Sequence, residues 1–386
     1  MKEPESLQLV GRTGVLFNRS KFSYFAGCDY FRMASRPEVL RAAAMGLKKY
    51  RLNVAASRIT TGNHALYGKL ETALAKFFAA PAALLASNGY ASNSVVAQAL
   101  RHDFSHVLID AAAHVSLRDA SRIFDCPVLE FKNCDPADLG RVLTGAGRNI
   151  KPILLTDGVF THDVKVAPLA EYLKILGPRG VILLDDAHGA GILGRMGRGT
   201  PEYARISRQR IIQTVTLSKG FGVFGGAILC SRELREKMIE RSAIFAGSTP
   251  LPLPLACAAL RAIQVLRKDR SLRARLNRNV QYVKTALRAA GIPVPFTPVP
   301  VIAIIPGNAA KARAIRRRLI AHRVFPSFVK YPGGPTGGYF RFVISSEHTK
   351  RQLDDLVQGL RLDRLACPAG RQMFPRVLFD LTAGFP

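Results

Sequence analysis

A single lysine, Lys219, sits between a strand-like run and a glycine-rich turn in TLSKGFGVFGG at 216–226. A loop of that kind can hold an amine in a cleft, where burial or a cationic neighbour lowers its pKa and frees it as a nucleophile. Asp185, Asp186 and His188 follow an apolar run in DDAHGAG at 185–191, the place where open α/β sheets present side chains to ligands. These residues could contact a cofactor or a metal, although two acids and one histidine are a thin ligand set. His114, in DAAAHVSLRDA, stands at a similar distance past another apolar run. Each has a plainer reading on local grounds: an exposed loop lysine, a strand-end turn, a satisfied structural histidine. GFGVFGG lacks the GxGxxG spacing and no GxxxxGK[ST] occurs, so neither NAD nor ATP has a motif behind it.

The elements that must position these residues alternate. HVLID at 106–110, ILLTDG at 153–158, VILLDDAHG at 181–189, IIQTVTLSKG at 211–220 and GAILC at 226–230 read as buried strands. A helix over 169–176 joins two of them, the crossover that a parallel sheet requires. Spacings of three to four between apolar residues predict helices over 37–49 and 67–78, another starting near Asn88, and a basic helix from Leu272 with Leu276, Val280, Val283 and Leu287 as its stripe. Four prolines within 291–300 read as a loop entering a second unit. In that unit, strands at 301–305 and 339–345 alternate with helices over 309–321 and 350–360. The expected organisation is an N-terminal segment 1–50, a large α/β domain 51–290 and a small α+β domain 291–386.

At 386 residues, with 48% hydrophobic content, 32 Gly and 23 Pro, the chain is a folded protein of more than one domain's length, which excludes disulfide knots and collagen-like or disordered chains. Its 56 Lys and Arg against 27 Asp and Glu leave a formal charge of +29, which suits an anionic partner and says nothing about fold. The basic stretches at 267–278 and 311–323 carry no aromatic residues, so phosphate attraction is open to them while base stacking is not. Cys28, Cys126, Cys134, Cys230, Cys257 and Cys367 form no CxxC pair, which argues against a cysteine zinc site and for a reducing compartment. No apolar run approaches the roughly 18 residues of a membrane span, and the start lacks a secretory pattern. The expected location is cytoplasmic.

In order, CDYFRMASRPEV at 28–39, SRITTGNHALYGKLE at 57–71, SNGYASN at 87–93, DAAAHVS at 110–116, TDGVFTHD at 157–163, VAPLAEY at 166–172, DDAHGAGILGRMGRG at 185–199, TLSKGFG at 216–222 and RFVISSEHT at 341–349 resemble the α-oxoamine synthases, fold-type-I enzymes that use pyridoxal 5'-phosphate (PLP). The resemblance runs from about Tyr24 to Leu360. It implies a large domain with a mixed, mostly parallel sheet, and a smaller α+β domain at the C-terminal end. It also implies that Lys219 is the Schiff-base lysine, that Asp185 faces the pyridine nitrogen, that His188 reaches the phenolic oxygen and that His114 stacks over the ring. Gly89 and Tyr90 match the phosphate-anchoring turn, with Thr216 beside it. Ser248 matches a segment lent by the neighbouring subunit, and Arg341 the clamp for the substrate carboxylate.

The implied activity is condensation of a small amino acid with an acyl thioester, on CoA or on an acidic acyl-carrier protein, by a homodimer with shared active sites. Alanine with a pimeloyl thioester is the family's most ordinary pair; glycine–acetyl, serine–long-acyl and specialised condensations compete. Other PLP reactions, retro-aldol cleavage or transamination, and a non-catalytic regulatory or nucleic-acid-binding role on the same fold are the alternatives. The chain departs from the family at Cys28, a usual asparagine, at Tyr67, a usual histidine, at Val164 and Lys165, which interrupt an acidic-glycine pattern, and at YPGGPTGG, 331–338. These departures cluster at substrate positions.

Overall fold

A computed structural model describes residues 6–147, 149–330 and 334–361; Cys367 and the start of the 331–338 turn lie outside them. The chain divides into two compact units. The larger comprises Cys28–Phe160 and Lys165–Arg273; the smaller comprises the described residues up to Gly27, Thr161–Val164, and those from Ala274 onward. This division differs from the expected boundaries at 50 and 290. Residues 28–50 join the large unit because the helix Pro37–Tyr50 packs on the helix Leu253–Lys268. The contact is close: a Cβ on Gly46 would lie 2.9 Å from Cys257 Sγ. The second boundary falls inside the helix Ser271–Ala289, where no change of composition marks it.

The large unit is built on a seven-stranded sheet in the order Ala82–Ala86, Gly226–Cys230, Ile211–Thr216, Val181–Asp185, Pro152–Asp157, His106–Asp110, Val128–Phe131. Gly226–Cys230 runs antiparallel to both neighbours, and the remaining pairs are parallel. Strands covered on both faces need apolar side chains in succession rather than in alternation. PILLTD is accordingly buried at every position. Its Ile153 and Leu155 join Val107, Ile109 and Leu183 in the core on one face, while Leu154 joins Leu108, Ile182 and Leu184 on the other. The helix Leu169–Leu176 closes the second face through Leu169, Tyr172, Leu173 and Leu176, the three-to-four spacing read in the sequence.

In the small unit an antiparallel sheet orders Val301–Ile304, Tyr339–Val343 and Phe328–Val329, and a three-stranded meander is formed by Gln8–Val10, Gly14–Phe17 and Ser20–Ser23. The helices Ala309–Ala321 and Lys350–Leu360 fall where the sequence puts them. The stripe Leu276, Val280, Val283 and Leu287 is buried, and Lys284 is buried beside it. Its Nζ donates to Thr297 O at 2.7 Å and Thr297 Oγ1 at 3.2 Å.

Burial pushes the Lys284 amine down from 10.5 to about 7. Between those values the unfolded chain holds a proton that the folded chain has shed, so stability rises with pH across that window and is flat below it. Chemical denaturation should give a slope of up to about 1.4 kcal/mol per pH unit from this group between pH 7 and 10, which Lys284→Met removes. Equal slopes in the two proteins would show that the buried amine is not the source.

Candidate active site

The site grows from the carboxyl ends of adjacent strands. Asp110, Asp157, Asp185 and Thr216 each end one of four neighbouring parallel strands, with Asp185 in register with Asp157. The loops beyond carry His114, His188 and Lys219. Two of them meet backbone to backbone: a Cβ on Gly220 would stand 2.7 Å from Ala190 O. The Lys219 loop also meets the segment after Cys28, since a Cβ on Gly222 (φ +62°) would stand 2.5 Å from Ala34 N. Gly222 N bonds back to Lys219 O at 3.0 Å, so this tight turn fixes the lysine's backbone. Gly222→Ala should lower stability by about 1–2 kcal/mol for the left-handed backbone and about 1–3 kcal/mol more for the overlap. A melting temperature unchanged from wild type would contradict this packing.

The Lys219 amine, half-buried, lies 2.7 Å from His188 Nε2, and His188 Nδ1 lies 2.6 Å from the hydroxyl of the buried Tyr30. Asp185 is buried; its Oδ2 accepts from Asn93 Nδ2 at 2.8 Å and from Ser116 Oγ at 3.4 Å, and its Oδ1 from Ala187 N at 3.1 Å. Asn93 is itself held by Thr214, whose Oγ1 donates to Asn93 Oδ1 at 2.7 Å. His114 caps the helix Val115–Ser121; its Nδ1 accepts from Ser116 N at 3.3 Å, which leaves the ring proton on Nε2. Burial holds His114 below the usual imidazole pKa; the Asp185 carboxylate pulls it back up and Lys219 pushes it further down. Asp157 accepts from His114 N at 2.8 Å. Burial first, then the Asp185 charge, hold Asp157 well above the usual carboxylate range.

Gly89 and Tyr90 open the helix Gly89–Ala99, whose Asn88 cap accepts from Ala91 N at 2.8 Å. Its first turn carries no acidic residue, and a Cβ on Gly89 would stand 2.8 Å from Thr216 Cβ. The helix start thus lies against Thr216 with no side chain between. The Tyr90 ring meets His114 edge-on at 6.3 Å. Ser248 lines a small cavity with Ser87, Ala91 and Arg58 of its own chain.

One sequence candidate lies elsewhere. Asp186 turns into the large unit, where it is buried and accepts from Thr200 N, Thr200 Oγ1 and Gln213 Nε2 at 2.9, 2.6 and 2.6 Å. Burial, against those hydrogen bonds, raises its pKa to about 7. It holds the loop from beneath and does not reach the site. Arg341 belongs to the small unit, on the strand Tyr339–Val343. Sequence reasoning missed Tyr30, Asn93 and Ser116; the signal available for Asn93 was a run of polar residues on the buried face of an otherwise apolar helix.

This donor set fits PLP by its chemistry. An amine stands ready for an aldehyde, a buried carboxylate can meet a ring nitrogen, and an acid-free helix start can take a phosphate dianion.

Comparison with known proteins agrees. The family model "Aminotransferase class I and II" matches residues 31–360. The chain is 31% identical to the 8-amino-7-oxononanoate synthase of Thioalkalivibrio sulfidiphilus over 87% of its own length and 86% of that protein's. It is 32% identical to the enzyme of the same name from Thermoanaerobacter pseudethanolicus, over 84% and 83%. Among solved structures, Sphingomonas wittichii serine palmitoyltransferase superposes with a TM-score of 0.87 at 24% identity, covering 93% of this chain and 92% of that one. The chain belongs to the aminotransferase class I and II family and is a fold-type-I PLP enzyme, an acyltransferase of the α-oxoamine synthase type.

Proposed function

We propose that the protein condenses a small amino acid with an acyl thioester to give an α-amino ketone, with loss of the thiol and, in the usual course, of the amino acid's carboxylate. The observation that carries this reading is the Lys219 amine held 2.7 Å from His188 in the cluster that also contains the buried Asp185. Bound PLP supplies an aldehyde that captures amines and a ring that accepts the electrons released at the substrate α-carbon.

Lys219 would be the residue that holds the cofactor's aldehyde carbon, and its amine would serve as the base for the substrate α-proton. Asp185, held by hydrogen bonds from Asn93 and Ser116, would pair with the ring nitrogen. His188 would hold the phenolic oxygen, and His114, with its ring proton on Nε2, would cover the ring face and offer a donor where charge develops on the substrate. Gly89, Tyr90 and Thr216 would hold the phosphate, assisted by Ser248 of a neighbouring subunit, and Arg341 would receive the amino-acid carboxylate through its planar fork.

A homodimer is supported by the apolar side chains that the large unit leaves open on and near the helix Pro37–Tyr50, among them Leu40, Met45, Leu47 and Leu52. Among the described residues no helix is long and apolar enough to cross a membrane. The five described cysteines are free thiols, in keeping with a cytoplasmic location. The thioester carrier is CoA or an acidic carrier protein, either of which the +29 charge would attract.

The test is a spectral screen of PLP-loaded protein against amino acids, followed by CoA-linked and carrier-linked thioesters, with products read by mass. An amino-acid-dependent spectral change and an amino ketone formed with release of thiol are expected. Release of an aldehyde or keto acid with the thioester untouched would replace this reading with cleavage or transamination.

A further inference from the structure

We infer that Tyr30 is a positioning residue for His188: its buried hydroxyl holds the imidazole with Nε2 toward the Lys219 amine and lets the ring exchange tautomer as that amine changes protonation. The inference rests on the roles given above to Lys219 and His188.

The three groups form one hydrogen-bonded row, phenol to Nδ1 at 2.6 Å and Nε2 to amine at 2.7 Å, with the two rings edge to face at 6.3 Å and 74°. When Lys219 is an ammonium ion it donates, so Nε2 must carry a lone pair and the ring proton sits on Nδ1, where it needs an acceptor. When Lys219 is a neutral amine and accepts, Nε2 carries the proton and Nδ1 needs a donor. A hydroxyl serves both states because it donates and accepts; a carbonyl or a carboxylate serves only the first. The hydrogen bond at one imidazole nitrogen thereby sets what the other presents.

The phenol is also fixed in place. Tyr30 has no exposed surface. Its neighbour Asp29 accepts from Met33 N at 2.8 Å and Ala34 N at 2.9 Å, closing the turn Met33–Ser35. That turn lies against Gly222, three residues past the lysine. Tyr30 is therefore tied to the backbone of the loop whose amine it serves.

Tyr30→Phe removes the oxygen and keeps the ring; Tyr30→Leu removes both. The direct readout is the 15N signature of the His188 ring nitrogens in cofactor-free protein, assigned by their loss in His188→Gln and followed across a pH series. The wild-type ring should pass from one dominant tautomer to the other, while Tyr30→Phe, with no donor at Nδ1, should give averaged signals at the alkaline end, where wild type holds its proton on Nε2. In loaded enzyme, Tyr30→Phe should lower kcat about 10-fold, the scale of one lost hydrogen bond, with KM for the amino acid within about 2-fold of wild type. Wild-type ring signals in Tyr30→Phe would overturn the inference whatever the activity, and a defect confined to Tyr30→Leu would assign the residue to packing instead. The two levels separate cleanly. If borohydride fixes PLP to the Lys219 peptide and the ring signals of Tyr30→Phe are unchanged, the inference falls and the proposed function stands. If wild-type protein yields no adduct, the proposed function falls, and the ring signals, read without cofactor, still decide the role of Tyr30.

Discussion

Lys219→Arg should fold, melt near the wild-type temperature, and turn over slower by about 10^4-fold or more, a factor that covers loss of the group proposed both to capture the aldehyde and to move the proton. The substitution keeps a positive charge beside His188 but not the chemistry. A guanidinium stays protonated and spreads its charge over a planar fork, so it offers no lone pair to a carbonyl or to an α-proton. The backbone should tolerate the change, because the turn is set by Gly220 against Ala190 O and by Gly222 against Ala34 N rather than by the side chain between them. The decisive measurement is borohydride reduction of PLP-supplied protein followed by peptide mass analysis. Wild type should gain the cofactor's mass on the peptide containing Lys219, and Lys219→Arg should gain none. Comparable turnover in the variant, or an adduct on another lysine, would remove Lys219 from the centre of the reaction.

Much of this arrangement is legible in the chain itself, for a physical reason. A doubly covered parallel sheet demands continuous apolar runs, and PILLTD and VILLD announce themselves by ending in an acid at the ligand-facing edge. The helices Leu169–Leu176, Ala309–Ala321 and Lys350–Leu360 match their sequence-derived limits because apolar spacing of three to four is a local property. The strand Ala82–Ala86 is silent because AALLA is rich in alanine, a poor strand former, and only its pairing with Gly226–Cys230 makes it one. Val128–Phe131, at the sheet edge and partly exposed, has no continuous apolar run to read.

The same division runs through the site. Lys219, Asp185, His188 and His114 stand out by motif order, whereas the contact between Tyr30 and His188 joins residues 158 positions apart and exists only once the Met33–Ser35 turn meets Gly222. Asp186 misleads for a related reason: adjacent residues past a strand end point to opposite sides. Asp185 stays with the site, while Asp186 drops into the hydrogen bonds of Thr200 and Gln213.

Asp185 and Asp157 sit in register on neighbouring strands, yet their amide variants should behave in opposite ways. Asp185→Asn should cost about 10^2- to 10^3-fold in turnover, the range observed when one preorganised electrostatic partner is removed, and excess PLP should not restore it. The amide can still bond to Asn93 and Ser116, so the fold survives, but the carboxylate proposed to pair with the ring nitrogen is gone. Loss of that charge also removes the influence that raises the pKa of His114, so any activity limb due to His114 should move to lower pH. Asp157 differs because burial and the charge of Asp185 already favour its protonated form. Asparagine reproduces that neutral group and its oxygen can still accept from His114 N, so turnover should stay close to wild type. A carboxyl whose folded pKa lies above the unfolded 3.8 binds its proton more tightly when folded, so wild-type stability falls as pH rises from about 3.8 through the folded value. Asp157→Asn should lack that fall and melt at or above the wild-type temperature near neutral pH. Parallel measurements of kcat and of melting temperature against pH for the two variants decide the matter. A large activity loss in Asp157→Asn with little in Asp185→Asn would exchange the two roles and move the ring-nitrogen partner one strand over.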